Sequence, residues 1–127
     1  MDRSVFLVIL PYWLKAFAIT LALEVPLYVL VSRRFVQKDR KVSTLRLALA
    51  GAAGTFLTHP LLWFVWPRVV HDYTAYIISG ELIVAVVESF VFYLASRAVS
   101  LRAAFITSFV ANAVSFALGA LIQFVMY

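Results

Sequence analysis

The sequence predicts an all-α, polytopic membrane protein: a transmembrane bundle of four helices with short loops, forming a single transmembrane domain over residues 1–127. Three observations carry this. Hydrophobic residues make up 65% of the chain, against about 45–50% in soluble domains. Charged residues are 13%, about half the usual share. The apolar residues fall into four runs, each long enough to supply the ~20 helical residues that cross a hydrocarbon core ~30 Å thick. So short a chain cannot hide this much apolar surface in a water-soluble core, because small domains bury the smaller fraction of their surface. Strands would show short alternating segments instead of long runs.

The first span covers about residues 4–31, long enough to tilt, with Pro11 and Pro26 as expected kinks. A cleaved leader is the alternative, since Asp2 and Arg3 precede an apolar run and Ala16-Phe17-Ala18 imitates a cleavage site. Lys15 interrupts that run, however, and apolar sequence continues to Val31, well past an ordinary leader core. The segment reads as an uncleaved helix. The second span covers about 45–66 and contains Pro60; the third covers about 75–95 and the fourth about 103–126. Between them lie a basic loop over 32–44, a short one over 67–74 and a tight turn over 96–102. No second domain, low-complexity tail or internal repeat stands out.

Orientation follows from basic residues, which concentrate on the cytoplasmic side of membrane proteins. Arg33, Arg34, Lys38, Arg40, Lys41, Arg46, Arg97 and Arg102 lie at one end, against Arg3, Lys15 and Arg68 at the other. Loops 32–44 and 96–102 are therefore expected in the cytoplasm and both termini outside, in a prokaryotic inner membrane. Trp13, Trp63 and Trp66, with Tyr12, Tyr73 and Tyr76, gather at the expected outer interface, as belt residues do. The net charge of +5 thus meets anionic headgroups rather than nucleic acid. The expected partner is the lipid bilayer, with a homo-oligomer or a larger membrane complex left open. With no Cys there is no disulfide and no thiolate chemistry.

Glu24, His59, Glu81, Glu88 and Asn112 lie inside the apolar spans. A carboxylate near the centre of a membrane helix costs about 2.5–3.5 kcal/mol or more, so such groups face the bundle interior, pair or stay protonated. Counted from the basic helix ends, Glu24, Thr55, Glu88 and Asn112 fall about 10–14 Å deep at helical rise. Lys15, His59 and Glu81 form a second level about 20–24 Å deep. Glu81 and Glu88 share a face of the third helix, and Thr20 and Glu24 share one of the first. Ser108, Asn112, Ser115 and Gly119 make a small, polar stripe on the fourth helix; Gly51, Thr55 and Thr58, with Gly54 adjacent, line the second. Such stripes allow close helix approach and cross-helix hydrogen bonds. Gly51, Gly54, Ser115 and Gly119 are therefore expected at helix contacts.

Each feature also has a plainer explanation. The stripes serve as packing seams, Asn112 as structural glue, and Tyr28 and Tyr93 as interfacial anchors. Lys15 snorkels, and His59 stabilises a kink beside Pro60. Three intramembrane Glu exceed what packing requires. They can pass protons, because low dielectric disfavours the charged form of a carboxyl. Alternatively, His59, Glu81 and Glu88 supply mixed oxygen and imidazole ligands for a divalent cation. No other cofactor is evident.

The combination of Glu24 with Pro26, Thr58-His59-Pro60, Gly80-Glu81, Glu88, and Ala111-Asn112 with Ser115 and Gly119 resembles a group of small four-helix prokaryotic membrane proteins without assigned activity. The resemblance spans all four helices and implies no mechanism. Size and a carboxylate in the first helix are also similar to the small multidrug resistance transporters. The charge bias and the additional Glu residues depart from that pattern, so no binding residue is carried over. The Gly-rich, Arg-containing first helix of fluoride channels is absent.

The leading expectation is proton- or cation-linked transport through the buried carboxylates. A non-catalytic accessory or assembly subunit of a larger membrane complex is the alternative. An intramembrane enzyme using His59 with Glu81 or Glu88 ranks last, since no nucleophile, phosphate-loop or paired-His motif supports it.

Overall fold

The computed structural model describes residues 2–126 and consists of four long helices. They are α1 (Arg3–Arg33), α2 (Thr44–Phe64), α3 (Tyr73–Ser96) and α4 (Leu101–Met126), with one 3₁₀ turn at Trp66–Arg68 after α2. All four are long and apolar enough to cross a membrane. Large apolar side chains stand exposed on every one of them, among them Leu30, Leu57, Leu94 and Phe124. This is the surface a bilayer requires and water would not tolerate.

Local chemistry sets each helix start. Asp2 accepts from the Ser4 amide, Ser43 from Arg46, Asp72 from Ala75 and Ser100 from Ala103, satisfying amides that have no partner within the helix. Pro11, Pro26 and Pro60 sit inside continuous helix. Each withholds one main-chain donor, from the carbonyls of Leu7, Ala22 and Phe56 respectively. The α3–α4 turn begins at Arg97, which adopts a left-handed φ of 49°. Its carbonyl accepts from the Arg40 guanidinium, tying the long basic loop to the short one.

The helices form a square in which α1 touches α2 and α4, and α3 touches the same two. Among the described residues, the backbones of the diagonal pairs α1/α3 and α2/α4 do not come close, and α1 reaches α3 through the Tyr28 side chain, which meets Glu88 and Phe92. Packing is uneven along the bundle. The buried positions of α1 are Glu24, Tyr28 and Ser32, and those of α4 run only from Ala103 to Ser115. The core of Tyr28, Leu47, Ala50, Phe92, Ala104 and Ala111 fills the basic end, where alanines bring the backbones close. Toward the chain termini the helices hold each other mainly in pairs. Trp13, Phe17, Phe56, His59 and Phe64 zip α1 to α2 with ring centroids 5.0–6.2 Å apart. Trp66 donates to Ser79, and the Tyr76 hydroxyl donates to the Leu62 carbonyl in the last turn of α2. The result is a funnel, tight at the basic end and open toward the termini.

Candidate functional site

The funnel encloses a cavity of about 700 Å³ bordered by all four helices. Tyr73, Thr74 and Gln123 lie near its mouth, and Glu24, Thr55, Glu88, Asn112 and Ser115 near its floor. From Tyr73 to Glu88 the wall of α3 descends about 22 Å at helical rise. No Lys or Arg is among the residues bordering the cavity.

The floor is a hydrogen-bonded lattice joining the four helices. Glu88 is 1% exposed and Glu24 3%. The Glu88 Oε1 lies 2.7 Å from the Thr58 hydroxyl, and its Oε2 accepts from the Tyr28 hydroxyl at 2.7 Å and the Asn112 amide at 2.8 Å. Glu24 Oε2 lies 2.7 Å from the Thr55 hydroxyl and Oε1 3.0 Å from that of Ser115. Thr55 and Thr58 are three apart on α2, as are Asn112 and Ser115 on α4. Both helices therefore serve the two carboxyls from adjacent positions on one face. Gly54 eases this approach: a Cβ there would sit 3.0 Å from Glu88 Cγ and 3.2 Å from its Cβ, a tight contact that would press on the Glu88 stem where it lies across α2.

Proton counting gives the lattice its chemical meaning. A hydroxyl has one hydrogen to donate. The Thr58 hydroxyl oxygen is near two acceptors, Glu88 Oε1 and the Gly54 carbonyl at 3.0 Å. Ser115 likewise is near Glu24 Oε1 and the Asn112 carbonyl at 3.2 Å. With the carboxyl ionised, the hydroxyl donates to it. With the carboxyl protonated on that oxygen, the acid donates to the hydroxyl, which turns to its own helix carbonyl, a bond such residues commonly make. The floor can hold a proton or release it without leaving a buried group unpaired, which would cost about 1–3 kcal/mol.

The structure brings Glu24, Thr55, Glu88 and Asn112 together at one level, with Ser115 added. Glu81 lies higher on the same wall, partly exposed to the cavity. His59 is buried beside the Trp13 and Phe17 rings; its Nε2 lies 3.4 Å from the Thr20 hydroxyl, and its Nδ1 has no partner among the described residues. Among those residues, no three His, Asp or Glu side chains are grouped so as to hold a metal ion. The oxygens of Glu24 and Glu88 are engaged by hydroxyl and amide groups instead.

Two expectations need correction. Gly119 is not at a helix contact: a Cβ there would meet nothing within 4 Å, because its face of α4 borders the cavity. Gly51, by contrast, abuts Tyr28, whose Cβ and Cγ lie 2.8 Å from where its Cβ would be. Tyr28 is not an interfacial anchor. It is fully buried and closes the floor, its hydroxyl between Glu88 and Ser108, its ring 5.0 Å from that of Phe92. The signal that could have found it is phase, since Thr20, Glu24, Tyr28 and Ser32 recur every four residues on one face of α1.

Comparison with protein-family models, curated proteins and solved structures finds no match to the chain.

Proposed function

We propose that this multi-pass membrane protein carries out proton-linked transport, with Glu24 and Glu88 as the groups that take up and release the proton. The observation that carries this reading is the proton-tolerant lattice at the closed, basic end of an open cavity. The mouth lets solvent and cargo reach the carboxyls, while Tyr28 and Phe92 block passage to the basic end. Transport requires that block to open, and the lattice supplies a trigger. The Tyr28 bond to an ionised Glu88 is charge-assisted and roughly twice as strong as a neutral one. A proton on Glu88 removes that advantage and loosens the floor. The cavity then changes sides as the bundle halves rock about the polar layer, the general behaviour of carriers with a site at the midplane.

The test is proton flux in proteoliposomes carrying an internal pH-sensitive dye. Under an imposed pH gradient the protein should dissipate the gradient well above the rate of empty liposomes. Glu24→Gln and Glu88→Gln should fold and insert, since Gln can still hydrogen-bond to Thr55 or Asn112, but reduce the flux at least ten-fold. Wild-type flux equal to that of empty liposomes, or full flux in both variants, would overturn the reading.

A further inference from the structure

We infer that the cavity above the polar floor binds an organic monocation, a primary ammonium on an apolar or aromatic body, rather than a bare metal ion. This names the cargo of the site just described and rests on that reading.

Size is the first argument. A cavity of about 700 Å³ lies within the roughly 300–1,000 Å³ typical of small-molecule sites and far exceeds what an ion needs. Charge is the second. Glu24, Glu81 and Glu88 border the cavity and no Lys or Arg does, so any fixed charge it carries is negative. The wall is the third. Trp63, Tyr73, Tyr76 and Phe116 border the same space, and aromatic faces attract ammonium groups while sheltering the apolar body that carries them. A small hydrated metal ion would use none of that surface.

One carboxylate on the wall has unmet bonding capacity. Glu81 receives no hydrogen bond from the described residues, whereas Glu24 and Glu88 are engaged by two and three donors. It stands two helical turns above Glu88, about 10 Å at helical rise, midway between floor and mouth. His59 is 7% exposed and borders the cavity, but its Nδ1 is itself buried and does not face the open space as an acceptor. An ammonium supplies N–H donors and a positive charge, both of which a carboxylate takes up. Glu81 is therefore assigned as the ammonium anchor, and Glu24 and Glu88 keep the proton.

The experiment is calorimetric titration of the protein in nanodiscs with benzylammonium, using benzyl alcohol and Mg²⁺ as controls. Two variants separate loss of binding from loss of fold. Glu81→Gln removes the anchor. Gly119→Leu fills the cavity from a position where a side chain meets no neighbour, and it replaces glycine with a better helix former. Saturable binding of benzylammonium that weakens at least ten-fold in both variants, with little binding of benzyl alcohol or Mg²⁺, is expected. No saturable binding, equal binding by Gly119→Leu, or equal or tighter binding of either control would overturn the inference. Proton flux on the same preparations separates the two readings. Intact flux without ammonium binding would remove the cargo and leave the proton site standing. Ammonium binding without flux would do the reverse.

Discussion

At the scale of single residues, Tyr28 decides how the floor is held. It is the one tyrosine among the described residues whose side chain is fully buried, and its hydroxyl spends itself on a carboxyl oxygen and a serine from two other helices. Hydrogen bonds to a charged partner contribute about 1.5–3 kcal/mol. Tyr28→Phe keeps the ring against Phe92 and removes only that hydroxyl. Unfolding of the variant in micelles should show a loss of about 1.5 kcal/mol or more; stability equal to wild type would mean that the hydroxyl holds nothing. The carboxylates and Asn112 were legible in the sequence because a polar residue in an apolar run is conspicuous, and counting from the helix ends placed them at one depth. Tyr28 was not, because a tyrosine near the end of a span looks like an interfacial residue. Only its phase with Glu24 distinguishes it, and phase matters once Glu24 is known to face inward.

At the scale of elements, small residues do two different jobs that spacing alone does not separate. Gly51 and Gly119 both lie on small, polar stripes, and stripes of that kind are expected to face another helix. Gly51 does so, against Tyr28, while Gly119 borders open space. The reason is the funnel: α2 is buried along most of its length, whereas no residue of α4 beyond Ser115 is buried. A helix stripe therefore changes role where the bundle opens, and a one-dimensional pattern does not mark that point. Overpacking a tight contact costs about 1–3 kcal/mol and often more. Gly51→Leu should sharply reduce the yield of folded protein in size-exclusion chromatography, whereas Gly119→Leu should elute as wild type. Equal behaviour of the two would contradict the funnel. Helix ends, by contrast, were legible within a few residues, because Asp2, Ser43, Asp72 and Ser100 cap helices that the apolar runs already delimit.

At the scale of the whole molecule, the four-helix membrane bundle follows from composition and run length alone, since hydrocarbon admits few other backbones. What composition does not contain is the unequal packing. Core alanines draw the four helices together at the basic end, while toward the termini aromatic ring contacts among the described residues join only α1 to α2, leaving carboxyls at the bottom of an open space. The account stands on one property of that arrangement: the floor carries a proton that comes and goes while the fold stays intact. Infrared difference spectroscopy of the protein in lipid, titrated across pH, reads it directly through the carbonyl stretch of protonated carboxylic acids. A band should appear and vanish reversibly with pH, and Glu24→Gln and Glu88→Gln should each remove or shift part of it. A spectrum with no protonated-acid band at any pH that preserves the fold, or a band left unchanged by both substitutions, would contradict the account.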